Sequence, residues 1–187
     1  SFGMKIVVKL DPARQPIGQG IGPTLEARDV LRVLQQKPDR PRDLEAKALG
    51  LAADLITLSG MSNRDRAMKL SKEALTSGRA WKKMQDIISA QGGRATVDAN
   101  QLALDAVTAR IAPPRSGRVV AINNRAIDEV VRTLGAPEQK LAGLYLHRKV
   151  GQTVKRGEKL FTLYTYSRDR LKLALTATKH LSLVTVR

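Results

Sequence analysis

Cysteine is absent from the 187 residues. Its absence excludes disulfides, thiolate metal sites and a cysteine nucleophile, and it fits a reducing, cytoplasmic setting. Aromatic residues are scarce at 3%: Phe2, Trp81, Tyr145, Phe161, Tyr164 and Tyr166. The core must therefore be built from Leu, Ile, Val and Ala, and the bases of a single-stranded nucleic acid would find too few rings to stack on. Histidine occurs only as His147 and His180. Neither has a carboxylate or a second ligand at metal spacing, so both read as structural or surface residues. No apolar run approaches the roughly 20 residues that cross a bilayer, and no membrane partner is expected. The start, Ser1-Phe2-Gly3 before Met4, reads as an expression remnant rather than a secretory signal.

Basic charge is plentiful: 33 Lys and Arg stand against 17 Asp and Glu, a net +16. Such a surface suits nucleic acid, anionic small substrates or plain solubility. The basic residues are scattered rather than gathered into a run, and pairs such as Lys82-Lys83 and Lys155-Arg156 read as solvated. These features argue against a nucleic-acid partner.

The pattern along the chain predicts an α+β protein in two parts. Residues 4–9, with Ile6, Val7 and Val8, predict a short strand. Residues 11–23 then hold three glycines and three prolines and predict a loop ending where a helix begins near Thr24. A second helix is expected from Arg42 with Leu44, Ala48, Leu51 and Leu55 on one stripe, closed by Gly60. Ser62, with Asp65 three residues on, predicts the cap of a third helix through Ala67, Leu70 and Ala74. Gly78 separates it from a fourth, bearing Trp81, Met84, Ile87 and Ile88, which Gly92-Gly93 stops. Met61, Met68 and Met84 read as helix-packing or boundary residues. One strand cannot supply a sheet for four amphipathic helices. Residues 1–93 thus look like an incomplete α/β remnant (strand, glycine-rich loop, four helices), whose apolar faces must pack on each other or on a missing layer.

After an expected linker at 94–104, residues 105–187 predict a small carboxy-terminal α+β domain. Strands are expected at 107–112, 117–122, 143–147, 158–164 and 181–186. Helices are expected at 126–134, closed by Gly135, and at 168–178, capped by Ser167. Asn123-Asn124 reads as a turn, and residues 149–158 as a turn-rich connection.

The glycine loop is the most informative segment. Gly18, Gly20 and Gly22 alternate just before a helix, a spacing that lets backbone approach a ligand but equally builds a tight turn. It is not G-x-G-x-x-G, and no Lys-Ser/Thr completes a phosphate loop. Glu26, Arg28 and Asp29 follow on the first helical turns. Carboxylates there complement the helix dipole or, with loop carbonyls, ligate a cation. No nucleophile–base–orienter arrangement is identifiable, and no catalytic or substrate-binding residue is assigned.

The segment Gln15-Pro16-Ile17-Gly18-Gln19-Gly20-Ile21-Gly22-Pro23-Thr24-Leu25-Glu26-Ala27-Arg28-Asp29-Val30-Leu31 resembles the thymidine phosphorylase (pyrimidine-nucleoside phosphorylase) family, and within it the branch of the archaeal AMP phosphorylases. Further similar stretches follow in order: Ala74-Leu75-Thr76-Ser77-Gly78-Arg79, Ile88-Ser89-Ala90-Gln91-Gly92-Gly93, Gly117-Arg118-Val119, Leu134-Gly135-Ala136-Pro137, and Gly151-Gln152-Thr153-Val154-Lys155-Arg156-Gly157-Glu158. The resemblance implies a pentosyltransferase that cleaves a pyrimidine nucleoside with phosphate, and a homo-oligomeric assembly. It implies that the phosphate loop and base-binding residues lie upstream of the matching segment, so that this chain is a carboxy-terminal fragment, inactive alone. It also implies a monovalent-cation (K+) site at the carbonyls of Ile17 and Gly20 and the side chain of Asp29, where some members carry Glu. The stretch 8–14 departs from the family's usual Thr-Asp-containing run. An AMP phosphorylase fragment and a non-catalytic basic assembly or nucleic-acid-binding module are the alternative readings.

Overall fold

The structure is a computed structural model and describes residues 3–102, 104 and 106–187. Ala103, within the expected linker, and Asp105, at the expected start of the last domain, lie outside the described residues, as do Ser1 and Phe2. Six α-helices and two small antiparallel sheets among the described residues make it a mixed α+β protein. Two compact units divide it: Val30–Ala99 with the segment ending at Pro12, and Asn100–Arg187 with Ala13–Asp29. By packing, the glycine loop and the start of the first helix therefore belong with the carboxy-terminal strands.

In the first unit, residues 3–12 are not a strand; they are extended and exposed, with no neighbouring strand to pair with. An isolated strand in water has no partner for its backbone groups. Ion pairs hold the segment instead, from Lys9 to Asp54 and from Asp11 to Lys47. Both partners lie on α2 (Arg42–Leu58). It is followed by α3 (Arg64–Thr76) and α4 (Arg79–Ala90). Gly60, at φ +80°, follows the end of α2 as its sequence position predicts.

The cap of α3 is Asn63, not Ser62: the Asn63 side chain accepts from Arg66 N at 3.0 Å. A cap side chain serves the amide two or three residues on; Asn63 does so for Arg66, and Asp65 lies inside the helix. Arg64 ties α3 to α2 by bonding Asp54 at 2.7 Å and Gly50 O at 2.9 Å. The buried residues here are small or few, among them Ala53, Ala67, Ser71 and Leu75. Leu51, Leu55 and Met61 are exposed, and α4 buries none of its apolar residues. Of the expected apolar stripe of α2, Leu44 is half-buried while Ala48, Leu51 and Leu55 are exposed; the residue α2 buries is Ala53.

The second unit contains every strand among the described residues. These are β1 (Gly20–Ile21), β2 (Val107–Ile111), β3 (Gly117–Ile122), β4 (Gly143–Leu146), β5 (Thr153–Val154), β6 (Phe161–Thr165) and β7 (Val184–Val186). One sheet has the order β1-β4-β6-β2, the other β5-β3-β7, and all pairings are antiparallel. Two helices, α5 (Asn124–Leu134) and α6 (Arg168–His180), pack on the four-stranded sheet.

The sequence dictates this packing. On α5, Ile127, Val130, Val131 and Leu134 recur at helical spacing and all are buried. On the sheet, Leu144 faces Leu163 and Leu146 faces Phe161 across β4 and β6. Leu144, Leu146 and Leu163 are fully buried, each stabilising the fold by about 1.5–3 kcal/mol. Asn123 is the cap of α5, accepting from Ala126 N, and Ser167 caps α6 as expected.

Several details differ from the sequence reading; α5, for instance, begins at Asn124, within the expected Asn123-Asn124 turn, rather than at 126. The strand expected at 158–164 starts only at Phe161, because Glu158 closes a turn onto Lys155. Residues 149–158 are not wholly turn, since Thr153 and Val154 pair with β3. Helix α6 runs on to His180, with Leu181 as its cap, so the last strand begins at Val184 rather than 181. The glycine loop itself contributes β1, a pairing that two residues cannot signal by periodicity. No helix among the described residues is long and apolar enough to cross a membrane.

Candidate functional site

The glycine loop enters α1 (Pro23–Leu34), with Pro23 in the first helical position, where the missing N–H costs nothing. Glu26 Oε1 reaches back to Gly22 N at 2.9 Å, and Thr24 bonds Lys140 O through both its amide and its hydroxyl. These contacts fix the helix start against the β4 side of the sheet. Gly20 and Ile21 pair with Tyr145 and Leu144, and Leu146 N donates to Gln19 O at 2.8 Å.

Asp29 is 1% exposed. Its Oδ2 accepts from Gln19 N and Gly20 N, both at 2.7 Å. One carboxylate oxygen thus holds two successive loop amides, the arrangement in which a buried charge is best compensated. On the same loop, Lys149 Nζ donates to the carbonyls of Pro16 and Gly18. Gln15 Oε1 accepts from Val150 N and Gln152 Oε1 from Lys149 N, both at 2.8 Å, so the backbone carrying Lys149 is itself anchored.

Of the cation ligands implied by the resemblance, Asp29 lies against the loop, but its Oδ2 is engaged by amides whose positive ends face it. Ile17 is an exposed loop residue, and Gly20 sits in the β1–β4 pair. Among the described residues, no group of three or more His, Asp or Glu side chains gathers to hold a metal ion.

Beside the loop, Tyr145 Oη donates to Gln19 Oε1 at 2.8 Å, the Arg28 guanidinium lies 5.0 Å from the Tyr145 ring centre, and the His147 ring meets Tyr145 edge-on at 5.1 Å. A cleft of about 600 Å³ opens here, lined by Gln19, Arg118, His147, Arg148, Gln152 and Thr153 among others. Its charge is positive, but much of its donor capacity is spent internally. Arg118 Nε bonds Gly151 O at 2.8 Å, and Arg148 bonds Thr153 O, His147 O and Glu158 at 3.0–3.2 Å. Lys149, Tyr145 and the cleft arginines went unassigned by sequence reasoning. Lys149 and Tyr145 are revealed by contacts across more than a hundred residues, and the arginines by where the fold places them in the cleft; no local spacing carries that signal.

His147 lines this cleft, and its Nε2 lies 2.8 Å from Thr162 Oγ1. Burial first, then the charges of Lys159, Arg148, Arg110 and Arg28, push its pKa below the ordinary imidazole value. The folded state therefore binds fewer protons at this ring than the unfolded state does. Stability is lost as pH falls below about 6.5 towards the lower folded value. Glu158 is also pushed down, by Lys155 N and then by Arg148, but as a carboxylate it acts in a window below about pH 4.5. Urea unfolding between about pH 7.5 and 5.5 should show wild-type stability declining and His147→Gln declining less. Equal slopes in the two proteins would count against this account of His147.

Residues 118–183 match the family profile described as Pyrimidine nucleoside phosphorylase C-terminal domain. The chain is 38% identical to the "Putative thymidine phosphorylase 1" of Acidovorax sp. (strain JS42), over 93% of this chain and 33% of that protein. It is 40% identical to the "AMP phosphorylase" of Thermococcus kodakarensis, over 93% of this chain and 34% of that protein. A second "AMP phosphorylase", from Pyrococcus abyssi, is 38% identical over 96% of this chain and 36% of its own length. The chain spans about a third of the length of these curated relatives.

Proposed function

We propose that this chain, related by sequence to the thymidine and AMP phosphorylases, is the carboxy-terminal part of a cytoplasmic, homo-oligomeric nucleoside phosphorylase and has no activity alone. The observation that carries the reading is the joint match: a carboxy-terminal-domain profile over residues 118–183, and similarity to phosphorylases over 93% of the chain but only 33% of the relative. The exposed apolar residues Leu51, Leu55 and Met61 support it, since uncovered apolar faces ask for a neighbour.

In the reaction, a phosphate oxygen forms a bond to the anomeric carbon while the carbon–nitrogen bond breaks. The base leaves with the bonding electrons and takes up a proton, giving free base and a pentose 1-phosphate. Such chemistry needs phosphate held below the sugar and donors on the leaving base. Within this chain, the loop bound by Asp29 and Lys149 joins β4 to the start of α1 and supplies rigid support rather than reacting groups.

A pyrimidine nucleoside is the leading substrate class. AMP is the second reading, favoured by the similarity to two AMP phosphorylases. Phosphate-dependent base release by the polypeptide of the full reading frame, assayed side by side on thymidine, uridine and AMP, should show activity on one class. Absence of activity on all three would count against the family function here. Binding of the chain to DNA or RNA that weakens steeply with salt would favour the nucleic-acid module instead.

A further inference from the structure

We infer that the ammonium of Lys149 is the glycine loop's own cation: it places a fixed positive charge on the Pro16 and Gly18 carbonyls, next to the Ile17 and Gly20 carbonyls that the resemblance assigns to a monovalent cation, so this chain requires no such ion at the loop. The inference is independent of the catalytic reading above.

The loop has two polar edges. Its amides, Gln19 N and Gly20 N, turn to the buried Asp29 carboxylate. Its carbonyls, Pro16 O and Gly18 O, turn to Lys149 Nζ. Gly18 takes φ +77°, a conformation that lets the chain reverse and present both edges. An ammonium and a potassium ion carry the same charge, and both are satisfied by carbonyl oxygens. Lys149 delivers that charge from a backbone anchored on both sides by Gln15 and Gln152. A tethered cation holds its place without the entropy loss of capturing a free one.

The ligand set of Ile17 and Gly20 carbonyls with Asp29 therefore does not fit a second cation. Such an ion would approach a carboxylate oxygen already facing two N–H dipoles. It would also lie on a short loop that already carries an ammonium, and like charges so close repel.

Thermal melting of the 187-residue chain in potassium chloride and in choline chloride at equal ionic strength tests this, choline being too large for a carbonyl cage. The wild type should melt at the same temperature in both. Lys149→Met should melt several degrees lower, whether or not potassium partly restores it. A wild-type midpoint that climbs saturably with potassium overturns the inference, and so does a Lys149→Met chain as stable as the wild type. Should the variant fail to fold, amine acetylation of the wild type reads the same contact. Lys149 should then react about tenfold more slowly than exposed Lys155 and Lys172, as expected for an ammonium bonded to two carbonyls, and equal reactivity overturns it.

Discussion

Asp29→Ala should lower the stability of the chain by about 3 kcal/mol, the largest loss expected from any side-chain truncation at the loop. The carboxylate is 1% exposed and accepts two backbone amides at 2.7 Å. Hydrogen bonds to a charged group are worth about 1.5–3 kcal/mol each, and their removal leaves two loop donors without an acceptor and shielded from water. Asp29→Asn keeps an acceptor oxygen but loses the charge, so it should recover about half of the loss. Urea midpoints for the three chains check the order wild type, Asn, Ala. An alanine variant within about 0.5 kcal/mol of wild type would remove Asp29 from its role as keystone of the loop.

Gly143→Ala is expected to be of comparable severity, about 3 kcal/mol, although it adds a single methyl group. A Cβ at Gly143 would lie 2.2 Å from Ile21 O and 2.9 Å from Leu25 Cδ1. The first neighbour is backbone and cannot swing aside, so β1 must leave β4. The same close approach exists in reverse, because a Cβ at Gly22, whose φ is +117°, would lie 2.3 Å from Ala142 O. Gly50 is the control. It sits inside α2, where an added Cβ meets nothing within 4 Å, so Gly50→Ala should stabilise by about 0.5–1 kcal/mol. Hydrogen exchange at Leu144 and Leu146 should accelerate in the Gly143 variant if β1 detaches. Unchanged exchange with unchanged stability would show that the strands do not meet as closely as described.

These two predictions mark what the sequence could and could not convey. Helical periodicity located α2, α3, α4 and α5 because each carries its own apolar stripe and its own stop residue. The strand at residues 4–9 failed because β-branched residues report only a willingness to be extended, whereas a strand also needs a partner. The cap of α3 was misread by one residue because Ser62 and Asn63 are both good caps, and only the geometry of Arg66 N separates them.

At the loop, the glycine alternation and Asp29 were visible as a candidate site, but the cation reading was carried by resemblance. The contact that bears on it comes from Lys149, more than 130 residues downstream of Pro16 and Gly18. A lysine within a turn-rich stretch has no sequence mark that distinguishes it from the other lysines of a chain with a +16 charge.

The central claim, that this chain supports a phosphorylase without performing its chemistry, is tested most directly by incubating the purified 187 residues with inorganic phosphate and either thymidine or AMP and following free base by chromatography. No base above the enzyme-free blank is the predicted result. Release of thymine or adenine with matching consumption of phosphate would contradict it.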